Sequence, residues 1–215
     1  MVEELFKAQY DITKKSKIEK FYNKNKILIY SSIFVFILSL GSFSFYLENK
    51  ESKKILSSDN YMKARIYISN GKRNEATNIL KEVIFNNDST YSVLCLFLII
   101  NENLLTNHND LMPLFNHILD NNKLPSELEH LLIYKKILLK SDLIKETEML
   151  ESLKPLLSDK NAWKPHALLL LGDYFVSKKE YIKAIEFYQK IFTINNLHND
   201  LYNHARSQLV LISNE

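Results

Sequence analysis

Few side chains in this chain are of a type and spacing that could do chemistry. A zinc or iron site needs histidine, cysteine or carboxylate ligands at short, defined spacings, and His108, His117, His130, His166, His198 and His204 show none. No pair of histidines on a helix has a carboxylate placed to serve as a base, so these six are expected at the surface or at helix caps. Cys95 stands in the apolar stretch Val93 to Ile100 without a charged neighbour to lower its pKa. As the single cysteine it cannot form an internal disulfide, and it reads as a small buried hydrophobe. Glycine-rich phosphate loops and a Gly-x-Ser-x-Gly turn are also missing. These residues predict a protein that is no enzyme, with no metal, no cofactor and no small-molecule substrate. Tyr174, Phe175, Tyr181, Phe187, Tyr188 and Phe192 are close in sequence, and helix packing accounts for them more simply than a ligand cage.

The elements that must position these residues begin with Ile27 to Leu47, 21 residues without a charge between Lys26 and Glu48. A helix of that length is roughly 31 Å long, the thickness of a bilayer's hydrocarbon core, so the run predicts a transmembrane helix. Lys7, Lys14, Lys15, Lys17, Lys20, Lys24 and Lys26 precede it, whereas Lys50, Lys53 and Lys54 after it alternate with Glu48 and Glu51. By the positive-inside rule the N-terminus is cytosolic and the C-terminal part lies outside, in the periplasm of a bacterial inner membrane. A cleaved signal peptide with Ser42-Phe43-Ser44 as its small-x-small site is the rival reading; the long tail and the apolar residues beyond that site favour a retained anchor. Within the span Ser31, Ser32, Ser39 and Ser42 share one side of a helical projection. Such a strip either docks against another span or satisfies its own backbone carbonyls.

Of the 28 basic and 25 acidic residues, 7 and 4 fall in residues 1–26, leaving 21 of each in the remainder. A neutral remainder has no electrostatic footprint for nucleic acid. The tail lysines set topology and can also rest on anionic lipid.

Beyond Ser57 the apolar residues recur at helical spacing, with only Gly71 and Gly172 as glycines, which predicts an all-α domain. Leu128, Leu131, Leu132, Leu138 and Leu139 lie on one helix face, introduced by Pro125 and a Ser126-x-x-Glu129 capping box. Leu111, Leu114, Phe115, Ile118 and Leu119 form another, with Pro113 in the first turn if Asp110 is the cap. Pro155 predicts a kink or a helix boundary. Short Asn/Asp/Lys loops separate four helix pairs, near 57–86, 90–121, 126–158 and 163–196, followed by a closing helix near 200–212. The expected organisation is a cytosolic basic tail over 1–26, a span over 27–47, a linker over 48–56 and a periplasmic helical domain over 57–215.

The segment from Pro165-His-Ala-Leu-Leu-Leu-Leu-Gly-Asp-Tyr-Phe to Lys183-Ala-Ile-Glu-Phe-Tyr-Gln-Lys-Ile resembles a tetratricopeptide repeat. Leu168, Leu171, Gly172 and Phe175 fall on the family's Trp, Leu, Gly and Tyr positions, Ala184 on the small residue twelve later and Tyr188 on the next aromatic. Ile191 and Asn196 stand where the family prefers Ala and Pro. Gly172 and Ala184 are expected to be small because the two helices cross closely there. Ala64, Tyr67, Gly71, Ala76, Leu80 and Val83 form a fainter copy, and Ala76 and Ala184 are 108 residues apart, three steps of 36. That spacing makes the two middle hairpins degenerate repeats of one solenoid of about four hairpins. By the same resemblance Leu169 and Asp173 would face the concave groove, without the basic and amide residues of a peptide-carboxylate clamp.

As a whole, a basic tail, one span, degenerate repeats, Ala162-Trp163 ahead of the last repeat and Asn203-His-Ala-Arg-Ser-Gln-Leu in the closing helix resemble the ancillary subunit of the bacterial Sec translocon. That resemblance implies a non-enzymatic subunit linking translocated chains to periplasmic chaperones, with Sec subunits or chaperones as protein partners. The same plan also suits an envelope assembly scaffold in cytochrome maturation, division or outer-membrane biogenesis.

Overall fold

The computed structural model describes residues 17–195 and 197–213, so the tail lysines Lys7, Lys14 and Lys15 and the repeat position Asn196 lie outside the described residues. Among the described residues the chain is all-α, without strands. It divides into two compact units, one ending at Ile55 and the other spanning Leu56–Glu215.

Helix α1, Lys17–Ser69, has one non-helical residue, Asn25, at φ −115° and ψ 16°. Among the described side chains between Asn25 and Ile55 the large apolar ones are open, with Ile27 at 78% exposure and Phe45 at 72%. This helix is long and apolar enough to cross a membrane. Tyr22 and Tyr30 meet edge to face across Asn25 with ring centroids 6.3 Å apart. Residues 48–56, read as a linker, are helical, since Glu, Lys, Leu and Ile there include no glycine or proline to interrupt α1.

In the second unit Ser57 is the first buried residue, and the end of α1 begins a series of helices. These are α2 (Arg73–Phe85), α3 (Tyr91–Asn101), α4 (His108–Asn121), α5 (Ser126–Lys140), α6 (Glu146–Leu153), α7 (Lys164–Ser177), α8 (Tyr181–Ile191) and α9 (Asn199–Ser213). Three of the four hairpins turn by the same device. Gly71, Asn103 and Lys179 take positive φ, and in each case the next residue's N–H reaches back five residues: Lys72 to the Tyr67 carbonyl at 2.8 Å, Leu104 to Ile99 at 2.9 Å and Glu180 to Phe175 at 2.9 Å. This is the Schellman closure, which satisfies the last carbonyls of the first helix and aims the chain into the second. The third hairpin differs. Its helices join through Ser141 to Lys145 without a positive φ, and after Leu153 the chain tightens into a 3₁₀ turn, Lys154–Leu157, that accommodates Pro155.

Two cap expectations are corrected. Ser126 is the first residue of α5 rather than its cap, and Pro125 in the cap position carries no side-chain bond, so the capping box does not form. In α4 the cap is Asn107, whose side chain accepts from the Asn109 N–H at 2.9 Å, because its extended backbone aims the amide oxygen at the open first turn. Pro113 therefore lies inside α4, beyond the first turn.

The core has two parts. Ala64, Leu80, Leu96, Phe115 and Leu132 belong to one, and Ile137, Met149, Leu171, Phe175 and Tyr188 to the other. Helix α5 contributes to both, Leu132 on one side and Ile137 on the other, and so joins the first two hairpins to the last.

Candidate functional site

The last hairpin and the closing helix hold the residues singled out by repeat spacing. Leu168, Leu171, Phe175, Ala184 and Tyr188 are buried together where α7 packs along α8. In the first repeat Ala64, Ala76 and Leu80 are buried. Tyr67 is half-buried, with the ammonium groups of Lys63 and Lys72 5.7 and 5.6 Å from its ring centre. At Gly172 the close neighbour is a side chain: a Cβ there would lie 2.7 Å from both Cδ1 and Cζ of Tyr188 and closer still to Cε1. The glycine makes room for an aromatic ring of α8, rather than for backbone crossing backbone.

The two candidate groove residues part company. Leu169 is only 9% exposed and belongs to the core, so it does not line an open groove. Asp173 is half-exposed and engaged by two elements. Its Oδ1 accepts a 2.6 Å hydrogen bond from the Tyr188 hydroxyl, and Nε2 of His204 on α9 stands 3.3 Å from the same atom. Burial, followed by the Asp173 carboxylate, pushes the Tyr188 hydroxyl far up from its usual range. It therefore remains a donor.

Lys183 has a role that repeat spacing leaves invisible. Its Nζ lies 2.7 Å from carboxylate oxygens of both Glu146 and Glu180 and 5.1 Å from the Phe175 ring centre. Hydrogen bonds to Glu146 and then Glu180 hold its pKa above the usual lysine value. It ties α8 to the start of α6. Among the aromatics, Phe175 and Phe187 stack at 5.4 Å, and the Tyr174 hydroxyl donates to the Ile144 carbonyl at 3.1 Å.

Ser31, Ser32, Ser39 and Ser42 are exposed on α1, and Ser31 donates to the Leu28 carbonyl at 3.0 Å, the self-satisfied geometry open to a helical serine. Cys95 is buried, and burial, then the nearby Asp88 charge, pushes its thiol up to about 12.

His166 departs from the expected surface placement. Trp163 opens α7, and the His166 ring lies 5.0 Å from its indole and 5.8 Å from Tyr134 of α5. Its Nδ1 is buried without a partner among the described residues, and burial, then His198, lowers its pKa. A cleft of about 650 Å³ opens beside it, lined by Asn161, His166, Thr193 and His198 among others. Among the described residues no group of three His, Cys, Asp or Glu could hold a metal.

A family model for the tetratricopeptide repeat matches residues 60–84 and 165–196. These two segments are tetratricopeptide repeats. The first takes in the end of α1 and most of α2, and the second takes in α7, α8 and the turn between them. No curated protein and no solved structure matches the chain. Tetratricopeptide repeats present packed helix surfaces to other proteins, so the chain has the make-up of a protein–protein interaction scaffold.

Proposed function

We propose that the chain is a non-enzymatic interaction subunit anchored in the bacterial inner membrane, with its tail cytosolic and its repeats periplasmic. It stands beside the Sec translocon and hands emerging chains to periplasmic chaperones. The observation that carries this reading is the combination, in one chain, of a helix long and apolar enough to cross a membrane with tetratricopeptide repeats after it. The lysine-rich flank before the span supports the orientation.

Affinity purification of the full chain from native membranes tests it. Sec channel subunits and a periplasmic chaperone are expected in the eluate. A set of cytochrome-maturation, division or outer-membrane assembly proteins without the channel would replace this reading by that of an envelope scaffold.

A further inference from the structure

Beside the last described helix lies an open groove. It runs between α8 and α9, has a volume of about 630 Å³ and is lined by Ile185, Gln189, Phe192, Tyr202, Arg206 and Leu209 among others. The Phe192 and Tyr202 rings meet edge to face at 5.0 Å. Large apolar side chains remain uncovered here, with Tyr202 at 41% exposure and Val210 at 54%.

The same chain shows how such a groove is used. At the other end of the stack α2 and α3 form the corresponding pair, the second helix of one hairpin beside the first helix of the next, and α4 packs against both. Phe85 of α2 meets His117 of α4 with ring centroids 4.6 Å apart. Ile185 and Gln189 stand 108 residues after Thr77 and Lys81 of α2, the same interval that separates Ala76 from Ala184. The groove between α8 and α9 is thus the seat of a following helix. The lined length of α9, Tyr202 to Ser213, offers it roughly 16 Å, or three turns.

Charge narrows what that helix carries. Among the described residues Arg206 is the one charged residue in the lining, and it makes no ion pair with any of them. A guanidinium flanked by apolar side chains favours a carboxylate, which its planar donors hold in two parallel bonds. We propose that this groove binds an amphipathic helix of a partner protein, added as the next helix of the stack, with an Asp or Glu of that helix against Arg206. This rests on the interaction role above and narrows it to one surface and one class of partner segment.

The test places a photoreactive amino acid at Tyr202 of the full chain, illuminates native membranes and sequences the cross-linked peptide. The expected peptide comes from another protein, has apolar residues at spacings of three and four, and carries an acidic residue among them. Arg206→Glu should reduce its yield about tenfold, and replacing that acidic residue by lysine should restore it. An unchanged melting temperature for Arg206→Glu shows that the fold is intact. Cross-linking to a second copy of the chain, to lipid or to a segment indifferent to the Arg206 charge would overturn the proposal, as would no cross-link at all. If the groove gives none of these products while partners still co-purify with the full chain, only the groove assignment falls; if nothing co-purifies, the interaction role falls with it.

Discussion

The ring of Tyr188 occupies the space that a Cβ on Gly172 would need: Cδ1 and Cζ of the ring both lie 2.7 Å from that position. Alanine is ordinarily better than glycine in a helix interior by about 1 kcal/mol. Here the sign reverses, because Tyr188 is fully buried and its hydroxyl is held at 2.6 Å from Asp173, so the ring cannot step aside. Gly172→Ala should therefore destabilise the full chain by about 1 to 3 kcal/mol in thermal or urea unfolding. In the Tyr188→Leu background the same change should cost clearly less, and equal costs in the two backgrounds would separate the two residues.

Ala184 is fully buried on the other side of the hairpin, and Ala184→Leu should cost about 1 to 3 kcal/mol by overpacking. The neighbouring Lys183 is not a neutral comparison, since it bridges Glu146 and Glu180 and covers Phe175. Glu186 is exposed on the same helix, and Glu186→Leu should stay within about 0.5 kcal/mol of the parent. A melting temperature lowered equally by both substitutions would argue against the buried position of Ala184.

The helices were legible because their apolar residues recur at a helical period, whereas Gly71 was legible only as a position of the fainter repeat and its positive φ comes from the structure. Asn103 and Lys179 make the same turn with a positive φ and leave little trace in sequence, since the left-handed conformation is imposed on them by the hairpin. Likewise Ser126 has the right type for a cap but sits one position inside its helix. The resemblance to the repeat family implied that Leu169 and Asp173 would face the concave groove. It could not show that the core takes Leu169, nor that Tyr188 and His204, 15 and 31 residues away, converge on Asp173. That Arg206 and the His166 Nδ1 have no partner among the described residues also depends on contacts distant in sequence.

His166 gives the stability a pH dependence. Burial lowers its pKa in the folded chain below the ordinary value of about 6.5. Between those two values the unfolded chain holds a proton at this position that the folded chain does not. Its contribution is then complete above about pH 6.5 and is lost as the pH falls through the folded value. Melting temperatures of the full chain should accordingly drop from pH 7.5 to pH 5. His166→Phe, which keeps a ring beside Trp163 and Tyr134, should shrink that drop; a parallel profile in the variant would assign the dependence to other groups.

Topology can be read with cysteines, because the native one is silent. Maleimides react with thiolate, and Cys95 is buried with its thiol pushed up to about 12, so the folded parent chain should remain unlabelled at neutral pH. Lys160 is exposed in the loop before α7 and makes a better reporter than Asn122, whose side-chain amide is buried. With the outer membrane made permeable, Lys160→Cys should react with an impermeant maleimide in intact cells, while Lys14→Cys in the tail should react only after the inner membrane is opened. The lysines that precede Ile27 are the physical cause of this order, since positively charged flanks are retained on the cytosolic side. The opposite labelling pattern would invert the chain in the membrane. Labelling of Lys160→Cys on a fragment shortened at the Ser42-Phe43-Ser44 site would show that the span is cleaved and that the repeats are released from it.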